Sequence, residues 1–183
     1  MEENAGYSRH LQKEGMSLSV ENVREQIVAL LPRLRRFART LARDPHDADD
    51  LVQIAIERGL AKYEQLQDEA NVARWMFGIV KNAWIDEIRA RARRERLLTD
   101  EEAGMNIADP AAQAHVETLA VEDALARLPD EQRLAVGLVL IEGLSYKEAA
   151  HIMEVPIGTL TSRLARARTA LQEMLQGSAG ERR

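Results

Sequence analysis

From Gly143 to Leu175 the chain reads GLSYKEAAHIMEVPIGTLTSRLARARTALQEML, and few folds accommodate such a stretch. Ser145 with Glu148 three residues on has capping-box spacing, so a helix starts there. Ala149, Ala150, Ile152 and Met153 give it a small apolar face. Glu154-Val155-Pro156 interrupts the pattern, because proline disfavours the α region in the residue before it. A second helix follows, with Leu160, Leu164, Ala167 and Leu171 on one stripe. Thr159, Ser162, Arg163, Arg166 and Arg168 lie off that stripe, and no acid occurs between Glu154 and Glu173. A short helix, a tight turn and a basic second helix have the form of a helix-turn-helix, whose second helix enters the DNA major groove.

The composition narrows the rest. Aromatics make up 4% of the 183 residues against 45% hydrophobics, which favours Ala- and Leu-rich helices over sheet. Without cysteine there is neither a disulfide framework nor a thiolate metal site. No apolar run approaches the ~18 residues of a membrane span, and no signal core precedes a cleavage site, so a cytoplasmic protein is expected. The net charge of −5 looks wrong for a DNA binder, but seven acids (Asp100, Glu101, Glu102, Asp109, Glu117, Glu122 and Asp123) lie together, with no Lys or Arg among them. The remainder of the chain carries +2. Fields act over a Debye length of ~8 Å, so local patches count for more than the total.

Helical periodicity begins near Glu21, after a polar stretch, 1–20, that reads as a mobile tail. Val23, Ile27, Leu30, Leu31, Leu34, Ala38 and Leu41 share a face, and Pro32 within it predicts a kink or a break into two helices. Asp44 and Pro45 begin a second helix as N-cap and first residue. After a polar loop, Tyr63 to Ala70, Asn71 caps a third. That helix is buried along Val72, Trp75, Met76, Ile79, Val80, Ala83 and Ile88 and ends in a basic run. The expected fold is all-α: a first helical domain over 21–96, a flexible acidic linker over 97–112, a second domain over 113–176 that ends in the helix-turn-helix, and a tail over 177–183.

Catalysis has little support. The four histidines are scattered, no phosphate-binding glycine loop exists, and the acids of 44–50 lack the closing glutamate of a calcium loop, so no cofactor or metal is expected. DNA binding has more, because each domain carries its own basic helical surface. Trp84, near Asn82, reads equally as a base-stacking or a packing residue.

Four ordered motifs resemble a known family. Asp47-Ala48-Asp49-Asp50-Leu51-Val52-Gln53 resembles D-A-E-D-L-V-Q of the extracytoplasmic-function sigma factors of bacterial RNA polymerase. Ala73 to Asn82 resembles their R-x-W-L-x-x-I-A-R-N motif. Leu128-Pro129 with Glu142 to Ala150 resembles the opening of their second domain, and Pro156 to Arg168 resembles P-x-G-T-V-K-S-R-L-x-R-A-R. The resemblance covers about 21–175 and implies the following roles. Asp47, Asp49, Asp50, Leu51 and Gln53 would dock on core polymerase at the β′ clamp helices. Asn82, with the basic end of its helix at Arg89, Arg91 and Arg93, would engage the −10 element, and Trp84 joins them on its stacking reading. Thr159, Ser162, Arg163, Arg166 and Arg168 would read the −35 element. An anti-sigma factor is an expected partner besides the polymerase and promoter DNA. Three positions depart from the family: Ile54 stands where Glu is usual, Thr161 where a base is usual, and Glu154 where Gly is common. A left-handed residue at Glu154 would cost about 1–2 kcal/mol. A stand-alone helix-turn-helix regulator and a sigma mimic that titrates an anti-sigma protein are the alternatives.

Overall fold

A computed structural model describes residues 20–42, 44–66, 71–97 and 116–180. Seven α-helices follow in order: α1 Val20–Leu41, α2 Pro45–Ala61, α3 Val72–Leu97, α4 Val116–Arg127, α5 Asp130–Val136, α6 Tyr146–Met153 and α7 Ile157–Gly180. A 3-10 turn, Tyr63–Gln65, follows α2, and a π turn, Gly137–Ile141, extends α5. Among the described residues there is no strand, and the all-α expectation holds. The N-terminal tail and the acidic segment 98–115 lie outside the described residues.

The helix starts follow from their caps. Asp44 accepts a hydrogen bond from the His46 backbone N–H at 2.7 Å, and Pro45 opens α2. At α6 both halves of the capping box form: Ser145 Oγ accepts from Glu148 N, and Glu148 Oε2 accepts from Ser145 N at 2.9 Å. Glu154 then turns the chain at φ 57°, ψ 41°, the left-handed conformation that the sequence flagged there. Gly143, at φ 70°, closes the preceding π turn, where glycine carries no Cβ penalty. The expectation at Pro32 is corrected, because α1 runs through it unbroken. Pro32 and Val28 both lie on the solvent side, so water can take the carbonyl that proline leaves unpaired.

Helices α1 to α3 form one bundle around Val23, Ile27, Leu34, Phe37, Met76, Phe77 and Val80, with Phe37 and Phe77 edge to face at 5.3 Å. The second group does not stand apart from it. Leu134, Ala135, Val136 and Leu138 belong to the same continuous core as Phe37 and Leu41. Arg133 donates to the Leu41 carbonyl at 2.9 Å, and its guanidinium lies 5.8 Å from the Trp84 ring centroid. Arg33 and Arg36 both reach Glu142, at 3.0 and 2.9 Å. The helices on either side of the acidic segment therefore pack on each other.

Gly137 marks a close approach of the two groups. A Cβ there would sit 2.9 Å from Phe37 Cε2, and the Phe37 ring is fully buried. Gly137→Ala is expected to cost about 1–3 kcal/mol, the usual penalty for overpacking. Urea unfolding monitored by circular dichroism checks this; an unchanged midpoint would mean that the contact yields freely.

Candidate nucleic-acid and polymerase interfaces

The basic helix α3 divides its residues between two faces. Successive residues turn by about 100°, so spacings of seven and four return to nearly the same direction. Asn82, Arg89 and Arg93 follow one another at those spacings and are all exposed. Among the described residues, neither Arg89 nor Arg93 has a carboxylate partner. Trp84 and Arg91, also seven apart, point to the other side. Arg91 pairs with Asp47 at 2.9 Å. Trp84 is 6% exposed and covered by Arg133, so the packing reading of this residue holds and the stacking reading is corrected. No base can stack on it in this arrangement.

On α2, the five residues assigned to the polymerase contact separate in the same way. Asp49, Asp50 and Gln53 are exposed, and Gln53 donates to Glu57 at 3.1 Å. Asp47 turns toward Arg91. Leu51 is buried in the core, so it supports α2 rather than presenting a contact. The sequence reading treated Ile54 only as a departure from the family. It is 38% exposed and adds an apolar element beside Asp50, one turn further along the helix.

Along α7, Thr159, Ser162 and Arg166 fall on one side, and Arg166 lies against Ser162 Oγ at 3.4 Å. The Ser162 hydroxyl itself donates to the Thr159 carbonyl at 2.9 Å. Arg163 turns toward α5, where it pairs with Glu131 at 2.5 Å and is 16% exposed. Its expected place on the free face is corrected: it flanks the core stripe of Leu160 and Leu164. Arg168 is exposed and flanks that stripe on the opposite side, about 140° round from Arg163.

A groove separates the Asn82 face from the helix-turn-helix. Asn71, Trp75 and Asn82 line one wall, and His151, Glu154 and Pro156 line the other. Lys81 bridges the groove to Glu154 at 2.7 Å, with its side chain 6% exposed. Neither Lys81 nor the Glu142 cluster was singled out from the sequence. Both join residues more than seventy positions apart, and only the position of Glu154 hinted at one of them. The hydrogen bond from Lys81 holds the Glu154 carboxyl below the ordinary glutamate range, and the Lys81 charge adds to this. Glu148 is lowered by its hydrogen bond from the Ser145 hydroxyl, then by the Ser145 backbone, and less by the charge of Arg74.

Two family models match the chain. Residues 27–94 match the family model of sigma-70 region 2, and residues 118–171 match that of sigma-70 region 4. The chain is 36% identical over 155 residues to the ECF RNA polymerase sigma factor EcfG of Rhodopseudomonas palustris, covering 85% of this chain and 86% of that protein. It is 40% identical over 148 residues to the ECF sigma factor SigM of Mycobacterium tuberculosis, covering 78% and 71%. Among solved structures it is similar to the sigma factor RpoE in its co-crystal with the anti-sigma factor NepR from Bartonella quintana. That match has a TM-score of 0.76 at 31% identity and covers 85% of this chain and 98% of that one.

Two expectations follow from the geometry. Arg166→Ala should lower the affinity of the full chain for DNA carrying its preferred −35 sequence more than Arg163→Ala does, because Arg163 must first leave Glu131. Fluorescence anisotropy at two salt concentrations measures both, and a larger loss for Arg163→Ala would restore it as the reader. The second concerns acid. A carboxyl depressed in the folded chain contributes stability that is full above the unfolded value and fades as the pH falls through the folded one. Glu148→Gln should therefore be less stable than the wild type near neutral pH, with the gap closing on acidification. A gap in unfolding midpoint that stays constant toward about pH 3 would contradict this.

Proposed function

The chain belongs to the extracytoplasmic-function sigma factors of RNA polymerase, and from that premise we propose how its surfaces divide the work of directing promoter-specific transcription initiation. The observation that carries the reading is the order of three surfaces: the acidic face of α2, the Asn82–Arg89–Arg93 face of α3, and the Thr159–Ser162–Arg166 face of α7. The first two lie within the region 2 match and the third within the region 4 match.

Asp49, Asp50 and Gln53, with Ile54 at the edge beside Asp50, form the contact with core polymerase at the β′ clamp helices. An acidic rim beside an apolar element suits a basic helical partner, because the rim steers the encounter and the apolar group adds burial. Asn82 holds an unstacked base of the −10 element. An amide donates and accepts, so it can pair with the Watson–Crick edge of a flipped base. Arg89 and Arg93 continue on the same face and follow the phosphates. On α7, Thr159 and Ser162 stand in the first two turns, where a recognition helix reaches base edges. Arg166 and Arg168 hold the backbone on either side.

The protein acts in the cytoplasm with core polymerase, and an anti-sigma factor holds it inactive. The similarity to a sigma factor crystallised with its anti-sigma factor supports that partner.

Transcription in vitro tests the whole reading. Purified chain with core polymerase should produce discrete transcripts from a genomic template library that core alone does not produce. Asn82→Ala should reduce open-complex formation on duplex promoters severalfold, and the defect should shrink on templates already mismatched at −10. An equal defect on both templates would make Asn82 a structural residue, and a lack of specific transcripts would defeat the assignment.

A further inference from the structure

Glu154 occupies an expensive position. It turns the chain in the left-handed conformation, which costs a residue with a Cβ about 1–2 kcal/mol and glycine nothing. Its carboxylate has one close partner among the described residues, the Lys81 ammonium at 2.7 Å. Lys81 belongs to α3, and Asn82 follows it. The two ends of this pair differ: Lys81 is nearly closed off from solvent, whereas Glu154 is 77% exposed. An ammonium removed from water requires an anion beside it. An exposed carboxylate holds its partner weakly and competes with salt.

The pair also joins two DNA surfaces. Glu154 and Pro156 form the wall opposite Asn71, Trp75 and Asn82, so a strand seated on Asn82 would meet the helix-turn-helix turn. That turn leads directly into α7, and its contact with α3 holds the start of the reading helix against the first helical group.

We propose that the Lys81–Glu154 ion pair is an autoinhibitory latch, which holds the turn of the helix-turn-helix across the groove from the Asn82 face and opens when a DNA phosphate replaces Glu154 at Lys81. The inference rests on the reading of the Asn82 face as the −10 surface. Closed, the chain supplies its own carboxylate to Lys81. Open, the nucleic acid supplies the anion. Lys81 becomes a phosphate contact next to the base pocket, and the start of α7 separates from α3. The exposed half of the pair sets the ease of release.

The substitution Glu154→Gly removes the carboxylate and keeps the turn, because glycine adopts the same conformation freely. The chain has no cysteine, so Glu57→Cys and Thr169→Cys, on exposed faces of α2 and α7, accept a pair of fluorophores. In the full-length chain, energy transfer should fall with rising salt. Glu154→Gly should shift that opening to severalfold lower salt and tighten binding of a random-sequence single-stranded DNA at least threefold. The swap Lys81→Glu with Glu154→Lys should restore the closed transfer but not the DNA binding, because it leaves an anion on α3. Unchanged transfer and unchanged DNA affinity in Glu154→Gly would overturn the latch. Transcription by the same variants separates this failure from that of the functional reading. Promoter-specific transcripts with an unmoved latch signal leave the function standing, and salt-dependent opening without specific transcripts leaves only the latch.

Discussion

Glu142 ends the π turn with its side chain fully shielded from solvent, and Arg33 and Arg36 reach it from α1. Arg33 also donates to the Glu142 carbonyl at 3.0 Å. A carboxylate buried in this way is tolerated only because both oxygens are paired; removing either partner of such a group typically costs about 3–5 kcal/mol. The remaining joints follow down the same side of α1. One turn beyond the arginines, Phe37 and Thr40 receive Gly137 without a side chain between them. At the end of the helix, the Leu41 carbonyl accepts from Arg133. Charge, shape and a capped helix end thus fix one register of α5 and its π turn on α1. That register brings α6 and the Glu154 turn up to α3, where the Lys81–Glu154 pair holds them.

The local chemistry of the chain was legible because it depends on near neighbours. The Asp44 cap, the Ser145–Glu148 box, the glycine at 143 and the left-handed turn at 154 are each decided within a few residues. The core stripes of α1, α3 and α7 follow from periodicity for the same reason. The misreadings have a common cause. Motif position places Leu51 on a surface, helical spacing does the same for Arg163, and Trp84 reads equally as stacking or packing; none of these readings includes the neighbour on the far side. Trp84 has Arg133 over it and Arg163 has Glu131 beside it, and both neighbours come from α5. Pro32 was read as a break because proline removes a backbone bond, but the loss falls on the solvent side where water can replace it. The division of Asn82, Arg89 and Arg93 from Trp84 and Arg91 was available from spacing alone. It is the basic run as a whole that concealed it.

The arginines and lysine of the nucleic-acid surfaces therefore fall into two kinds. Lys81, Arg91 and Arg163 are paired with Glu154, Asp47 and Glu131, acids that keep between 43% and 77% of their side-chain exposure. Arg89, Arg93 and Arg166 have no such carboxylate among the described residues. The distinction matters for how binding responds to salt. An unpaired cation that meets a phosphate releases a condensed counterion from the DNA, so its contact weakens steeply as salt rises. A paired cation must first give up its own carboxylate, and salt weakens that bond as well. The two effects oppose each other, so an exchanged cation adds less to the salt slope than a free one. On the proposed division of surfaces, a chain that is acidic overall keeps DNA contacts at physiological ionic strength: part of its positive charge is held by its own acids until DNA takes their place, and part stands on the Asn82 and Thr159 faces to begin the encounter.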